Sequence, residues 1–159
     1  MSAIAWIALG SNLGEREANL TGAVQALRDL DGVEVLSVSS WFETDPVGGP
    51  TGQPQFLNGA LKCATSLTPR ALLEALQTIE AHFGRDRTNG VPNGPRTLDL
   101  DLLLHGDSQV SEPDLTLPHP RIEERSFVLE PLAEMEPDLW LPRTARTVAE
   151  CLTELRIRT

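Results

Sequence analysis

Apolar positions recur along the chain in two rhythms. Ile4 to Leu9 is a short unbroken apolar run, too short for a helix and consistent with a buried strand. Gly10-Ser11-Asn12-Leu13-Gly14 reads as a tight turn, with Asn12 placed to cap the next helix and Glu15 three residues on. Leu20, Val24, Leu27 and Leu30 then recur at helical spacing. Val33 to Trp41 reads as one strand, and Asp45 to Pro54, with three prolines and three glycines, as a long loop. Phe56 to Thr65 is the next strand. Thr68-Pro69 opens a helix whose stripe is Leu72, Leu76, Ile79 and Phe83 and whose stop is Gly84. A second long loop, Arg85 to Pro95, precedes a strand over Leu98 to Leu104. Further on, Leu115 to Leu117 reads as a short strand. Arg121 to Leu132 and Val148 to Leu155 read as helical, with Pro137 and Pro142 breaking the region between.

This order predicts a split β-α-β arrangement, an α+β ferredoxin-like sandwich (βαββαβ) with a C-terminal extension. Its helices are expected on one face of an antiparallel sheet, leaving the other free for a site. At 159 residues a single domain over 1–159 is expected. A domain this size buries roughly 70% of the surface its unfolded chain exposes and needs no staples. The two cysteines are too few for a disulfide framework, and Cys63 reads as a small core residue. No apolar run approaches a membrane span, and Met1-Ser2-Ala3-Ile4 carries no signal-peptide flank, so a cytoplasmic protein is expected.

The net charge of −10 argues against nucleic acid and anionic membrane as partners. Yet 12 of the 13 cationic side chains are arginines, and Arg85, Arg87, Arg96, Arg121 and Arg125 fall in one stretch. A compact guanidinium cluster on an acidic chain suits a small phosphorylated ligand.

The sharpest motif is Gly94-Pro95-Arg96-Thr97-Leu98-Asp99-Leu100-Asp101-Leu102. On a strand, Asp99 and Asp101 share one face, with Cα atoms about 7 Å apart, and Leu98, Leu100, Leu102 and Leu104 share the other. Paired carboxylates repel unless a cation lies beside them, and hard oxygen ligands suit Mg²⁺ carrying substrate phosphates. A solvated strand face with two aspartates is the plain alternative. Phe56 and Asn58 share the face opposite Leu57, Leu61 and Cys63. They fit a stacked heterocycle read along its edge, or a second small core beneath the first loop. Phe127 has the same two readings. His119, between Pro118 and Pro120, is expected to be exposed and fixed, and to contact phosphate. His82 and His105 have no visible partner. Arg70 and Arg143 read as surface residues.

These motifs resemble the 6-hydroxymethyl-7,8-dihydropterin pyrophosphokinases of folate biosynthesis. The similarity spans nearly the whole chain. It includes Ile7 to Gly14, Thr44-Asp45-Pro46-Val47-Gly48, Phe56-Leu57-Asn58, Gly94 to Leu103 and Leu117-Pro118-His119-Pro120-Arg121. The resemblance implies ATP as co-substrate, two Mg²⁺ ions on Asp99 and Asp101, and transfer of pyrophosphate to the pterin with release of AMP. It implies Asp99, Asp101, Arg96 and Arg85 as catalytic. The pterin would lie between Phe56 and Phe127, read by Asn58 and the chain around Thr44, Pro46 and Val47. Gln77, Glu80, Arg87, Leu102, Thr116, His119 and Arg125 would line the nucleotide. A monomer is expected, with both long loops closing over the bound pair. The chain departs from the family at Val91-Pro92-Asn93, where relatives often carry a basic residue and an aromatic. It departs again at Asp114, where some carry an arginine. Two other classes fit parts of the pattern. A Mg-dependent nucleotide-sugar transferase also uses Asp-x-Asp, but its doubly wound N-terminal half is missing here. A non-catalytic ferredoxin-like ligand-binding module would not need the paired aspartates.

Overall fold

The structure, a computed structural model, describes residues 2–45, 52, 54–84 and 97–158. Pro46, Val47, Arg85, Arg87, Arg96 and Asn93 lie outside the described residues, as do most of the two loops expected to close.

The first part of the chain gives β1 (Ala3–Ser11), α1 (Arg16–Arg28), β2 (Val33–Val38), β3 (Phe42–Thr44), β4 (Phe56–Thr65), α2 (Pro69–His82) and β5 (Asp99–His105). The strands lie in the order β2-β4-β1-β5, antiparallel throughout, and β3 pairs with the start of β4. This is the expected ferredoxin-like sheet. The extension holds a hairpin of β6 (Val110–Glu112) and β7 (Leu115–Leu117), a turn of 3-10 helix (Ile122–Glu124) and α3 (Ser126–Met135). A second small hairpin, β8 (Trp140–Leu141) and β9 (Arg146–Thr147), leads into α4 (Val148–Arg158).

The extension changes the layering. On the first face Ile7, Leu9, Leu61, Cys63, Leu100 and Leu102 are buried under Leu20, Val24 and Leu27 of α1 and Leu72, Leu76 and Ile79 of α2. The second face was expected to be free. Half of it is not, because α3 and α4 bury Trp6, Ala60, Leu103 and Leu104 against Val128, Leu129, Leu132, Val148, Cys151 and Leu152. Burial on both faces explains why Ile4 to Leu9 shows no alternation.

Three local expectations are corrected. The pairing of β1 with β5 shifts between Trp6 and Ile7, so that Leu103 is an extra residue on β5. This bulge turns Leu104 to the second core, away from Leu100 and Leu102. Val33 to Trp41 is not one strand. Beyond the register shift near Ser37, the Ser39 amide donates to the Ala60 carbonyl and the Ala60 amide to Ser39 Oγ, each at 2.9 Å. Trp41 then leaves the ladder and lies against Gly59, where an added Cβ would stand 2.4 Å from its ring. Asn12 does not cap α1. Its side chain is fully buried and donates to the Pro54 carbonyl at 3.1 Å, tying the end of the first loop to β1.

The cap on α2 is as expected. Pro69 occupies the first turn, and the Ala71 amide donates to Thr68 Oγ1 at 3.1 Å. Among the described residues no helix is long and apolar enough to cross a membrane. Thr68→Ala removes this cap while leaving both cores intact. It should cost about 1 kcal/mol in urea unfolding, with an unchanged m-value.

Candidate active site

Among the described residues, the half of the second face outside the second core gathers the candidate side chains. Gly10 of β1 stands opposite Asn58 of β4 on one side and Asp99 of β5 on the other. Ala8 stands likewise between Ala60 and Asp101. The central strand thus offers only Ala and Gly beneath this surface, which leaves room above it. Gly10 is required there, since an added Cβ would lie 2.8 Å from Asn58 Oδ1 and 3.5 Å from the Phe56 ring.

Asn58 is buried, and its amide donates to Thr44 Oγ1 across the β3–β4 pair. That bond fixes the amide and marks which edge faces out. Phe56 is half-buried on the same face and is not part of the second core, while most of the first loop, beneath which a small core is the alternative, lies outside the described residues. Phe127, at the start of α3, packs at the rim of that core, and the Arg125 guanidinium stands 5.6 Å from its ring centre. Asp99 and Asp101 are both half-buried on the open face, as the alternation predicts.

His119 is half-buried rather than exposed. Its amide donates to the Leu103 carbonyl at 2.9 Å, tying the turn after β7 to the edge of β5. Its Nδ1 accepts from the Arg121 amide at 3.2 Å. Burial, with Arg125, Arg121 and Arg143 nearby, pushes its pKa down to about 4 against a partial pull upward from Asp99. The ring is therefore neutral near pH 7, and with Nδ1 accepting, Nε2 carries the hydrogen and is a donor. Arg143 is exposed, as its reading as a surface residue expects, and its guanidinium donates to the Pro118 carbonyl at 3.1 Å, beside His119. Sequence spacing gives no signal for it, because the β8–β9 hairpin delivers it.

The remaining nucleotide-side positions divide. Glu80 is buried, and its Oε2 accepts from the Leu100 amide at 2.7 Å, while Gln77 is exposed, so the two do not share one environment. The Leu102 side chain belongs to the first core, which leaves only its main chain for a ligand. Thr116 pairs with Ser111 in the β6–β7 hairpin. Asp114 and Glu112 of that hairpin pair with Arg70 of α2, with Asp114 at 2.7 Å, so Arg70 is a surface residue with two acidic partners. His105 also has a partner, since its Nε2 meets the Leu67 carbonyl at 2.8 Å.

Two carboxylates and an amide on one sheet face, with Phe56 beside them, Phe127 on α3 and a basic turn at His119, make up the candidate site. The family model described as 7,8-dihydro-6-hydroxymethylpterin-pyrophosphokinase matches residues 6–137. The chain is 52% identical over 135 residues to the 2-amino-4-hydroxy-6-hydroxymethyldihydropteridine pyrophosphokinase of Bacillus subtilis, covering 85% of this chain and 79% of that one. It is 42% identical over 149 residues to the enzyme of that name from Synechocystis, covering 94% and 74%. The fold is similar to that of Plasmodium falciparum HPPK-DHPS, wild type with pteroate, at a TM-score of 0.77 and 13% identity, covering 99% of this chain and 43% of that one. The chain belongs to the 7,8-dihydro-6-hydroxymethylpterin-pyrophosphokinase family. Its activity is ATP-dependent pyrophosphoryl transfer to hydroxymethyldihydropterin in folate synthesis.

The His119 ring gives a pH signature. Its folded pKa of about 4 lies below the ordinary 6.5, so between these values the unfolded chain binds more protons. The stability it contributes is complete above pH 6.5 and is lost as the pH falls towards 4. Urea unfolding of the wild type and His119→Gln should therefore show a smaller acid loss in the variant across that window.

Proposed function

We propose that the transfer takes place on the open half of the second face. The pterin lies between Phe56 and Phe127, and the ATP phosphates lie over Asp99 and Asp101. The observation that supports this most is the cross-strand row Asn58–Gly10–Asp99. It sets an edge-reading amide and a carboxylate on either side of a residue with no side chain. The acceptor and donor substrates are then held side by side on a rigid sheet, and holding them so supplies much of the rate.

Asn58, steadied by Thr44, reads the pterin edge, with the main chain at Pro46 and Val47 completing that side. Phe56 and Phe127 close on its two faces. Asp99 and Asp101 fit a hard divalent cation. They are half-buried, share a face, and have only Gly10 and Ala8 opposite them on β1. Two carboxylates plus substrate oxygens is a donor set suited to Mg²⁺, and two such ions would there neutralise charge developing on the phosphates. His119 gives its Nε2 hydrogen to a phosphate oxygen. Arg85, Arg96, Arg87 and Arg125 supply positive charge along the triphosphate, and Gln77, Glu80, Thr116 and the Leu102 main chain hold the rest of the nucleotide. The hydroxymethyl oxygen attacks the β-phosphorus, and AMP leaves. The enzyme works as a monomer in the cytoplasm, with residues 1–159 forming a single domain. The second core supports that last point, since α4 and α3 share it with the sheet.

Phosphorus NMR of the reaction should show AMP and a pterin diphosphate. ADP with a pterin monophosphate would overturn the assignment. Asp99→Asn and Asp101→Asn keep size and remove a charge, and each should slow turnover roughly a thousandfold with folding retained. Near-normal turnover in both would leave the metal reading without support.

A further inference from the structure

The aromatic wall of the pterin site rides on α3, and α3 is held to the sheet at its opposite end. The Ser40 amide donates to Glu134 Oε1 at 2.7 Å, and the Ser40 hydroxyl donates to Glu134 Oε2. Both carboxylate oxygens are engaged by one residue, and one of the donors is main chain, so the contact fixes orientation as well as distance. Ser40 is a firm anchor. Its carbonyl accepts from Ser39 Oγ at 2.8 Å, and Ser39 is in turn bonded through both its amide and its hydroxyl to Ala60 of β4. A second pin lies two residues further along, where Lys62 pairs with Glu136 at 3.0 Å while lying 5.4 Å from the Trp6 ring centre.

Glu134 and Phe127 are seven residues apart on α3, which puts them on one face about 10 Å apart. The helix as a whole packs against β4 and β3. Ser40 lies four residues before Thr44, the partner of the Asn58 amide. The Glu134–Ser40 contact therefore joins the helix carrying one wall of the slot to the segment carrying the other. Helix slide or rotation at Glu134 is transmitted to the Phe127 ring through Val128, Leu129 and Leu132, which seat this stretch of α3 on the second core as one body. Pro131, which has no N–H, leaves that packing to make the link in place of a hydrogen bond to the Phe127 carbonyl.

We propose that Glu134 is a positioning residue for the pterin slot: through its two hydrogen bonds to Ser40 it sets the separation between Phe127 and the wall formed by Thr44, Phe56 and Asn58. The proposal rests on the placement of the pterin between Phe56 and Phe127. Glu134 is solvent-exposed, and exposed ion contacts contribute little to stability. Its effect is expected in alignment. The contact also outlasts ordinary assay conditions, since the Ser40 bonds hold the Glu134 carboxyl below the usual carboxylate range.

The test is calorimetric binding of 6-hydroxymethyl-7,8-dihydropterin in the presence of Mg²⁺ and a non-hydrolysable ATP analogue. Glu134→Ala should raise the pterin Kd about tenfold and move the analogue's Kd less than about twofold, as misplacement of one wall predicts. Glu134→Gln keeps an acceptor for the Ser40 amide and should recover most of the loss. Phe127→Leu should weaken pterin binding by itself, and the double variant Glu134→Ala/Phe127→Leu should bind no worse than Phe127→Leu. Ser40→Ala removes only the hydroxyl donor and serves, with the same signature at smaller size, should Glu134→Ala fail to fold. Unchanged pterin affinity in Glu134→Ala, or effects that multiply in the double variant, would overturn the proposal while sparing the pterin placement. Unchanged affinity in Phe127→Leu would overturn the placement itself.

Discussion

The register of β1 between β4 and β5 is the constraint on which the site depends. Side chains on a strand alternate, so one register assigns Ile7 and Leu9 to the first core and Trp6, Ala8 and Gly10 to the second face. A slip of one residue would bury Gly10 and expose Leu9, costing the core several side chains at about 1.5–3 kcal/mol each. Burial of the first face therefore fixes where Asn58 and Asp99 meet Gly10. No interaction within the site has to hold that row together. This matters because two aspartates on one strand face repel, and the register that brings them there is fixed by burial on the other face.

The second face is shared between packing and chemistry. Trp6, Ala60, Leu103 and Leu104 are covered by α3 and α4, while Gly10, Asn58, Asp99 and Asp101 are not in that core. The boundary is set on β5 by the extra residue Leu103. The bulge sends two consecutive leucines to the second core just where the Asp-x-Asp alternation ends. It is a local device that lets one strand carry two aspartates at its start and a hydrophobic lid contact at its end.

Much of this was legible in the sequence. Phe56 to Thr65 and the Thr68-Pro69 helix start stand as read, because an alternating strand and a capped helix are local signals. Asp99 and Asp101 fall on one face for the same reason. What failed was non-local. The coverage of the second face depends on α3 and α4 folding back, and no periodicity within either helix states which surface it meets. Leu104 departs from the alternation because a bulge breaks period two without a mark in the residues. Asn12 looked like a cap by position, yet its partner is Pro54, 42 residues away. Arg143 and Glu134 reach their places by tertiary delivery alone.

The charge distribution completes the argument. The chain carries 23 acidic side chains against 13 cationic ones, so an unpaired guanidinium needs a reason. Arg70 has acidic partners in Glu112 and Asp114, which also clamp the β6–β7 hairpin to α2. Arg121, Arg125 and Arg143 instead converge on His119, and together with burial they hold that ring neutral. A neutral ring beside three guanidiniums is the arrangement expected where positive charge is reserved for an incoming anion. A protonated imidazole would add repulsion to the three guanidiniums around it. Asp99 opposes that shift only in part, so burial and the three guanidiniums decide the charge of the ring.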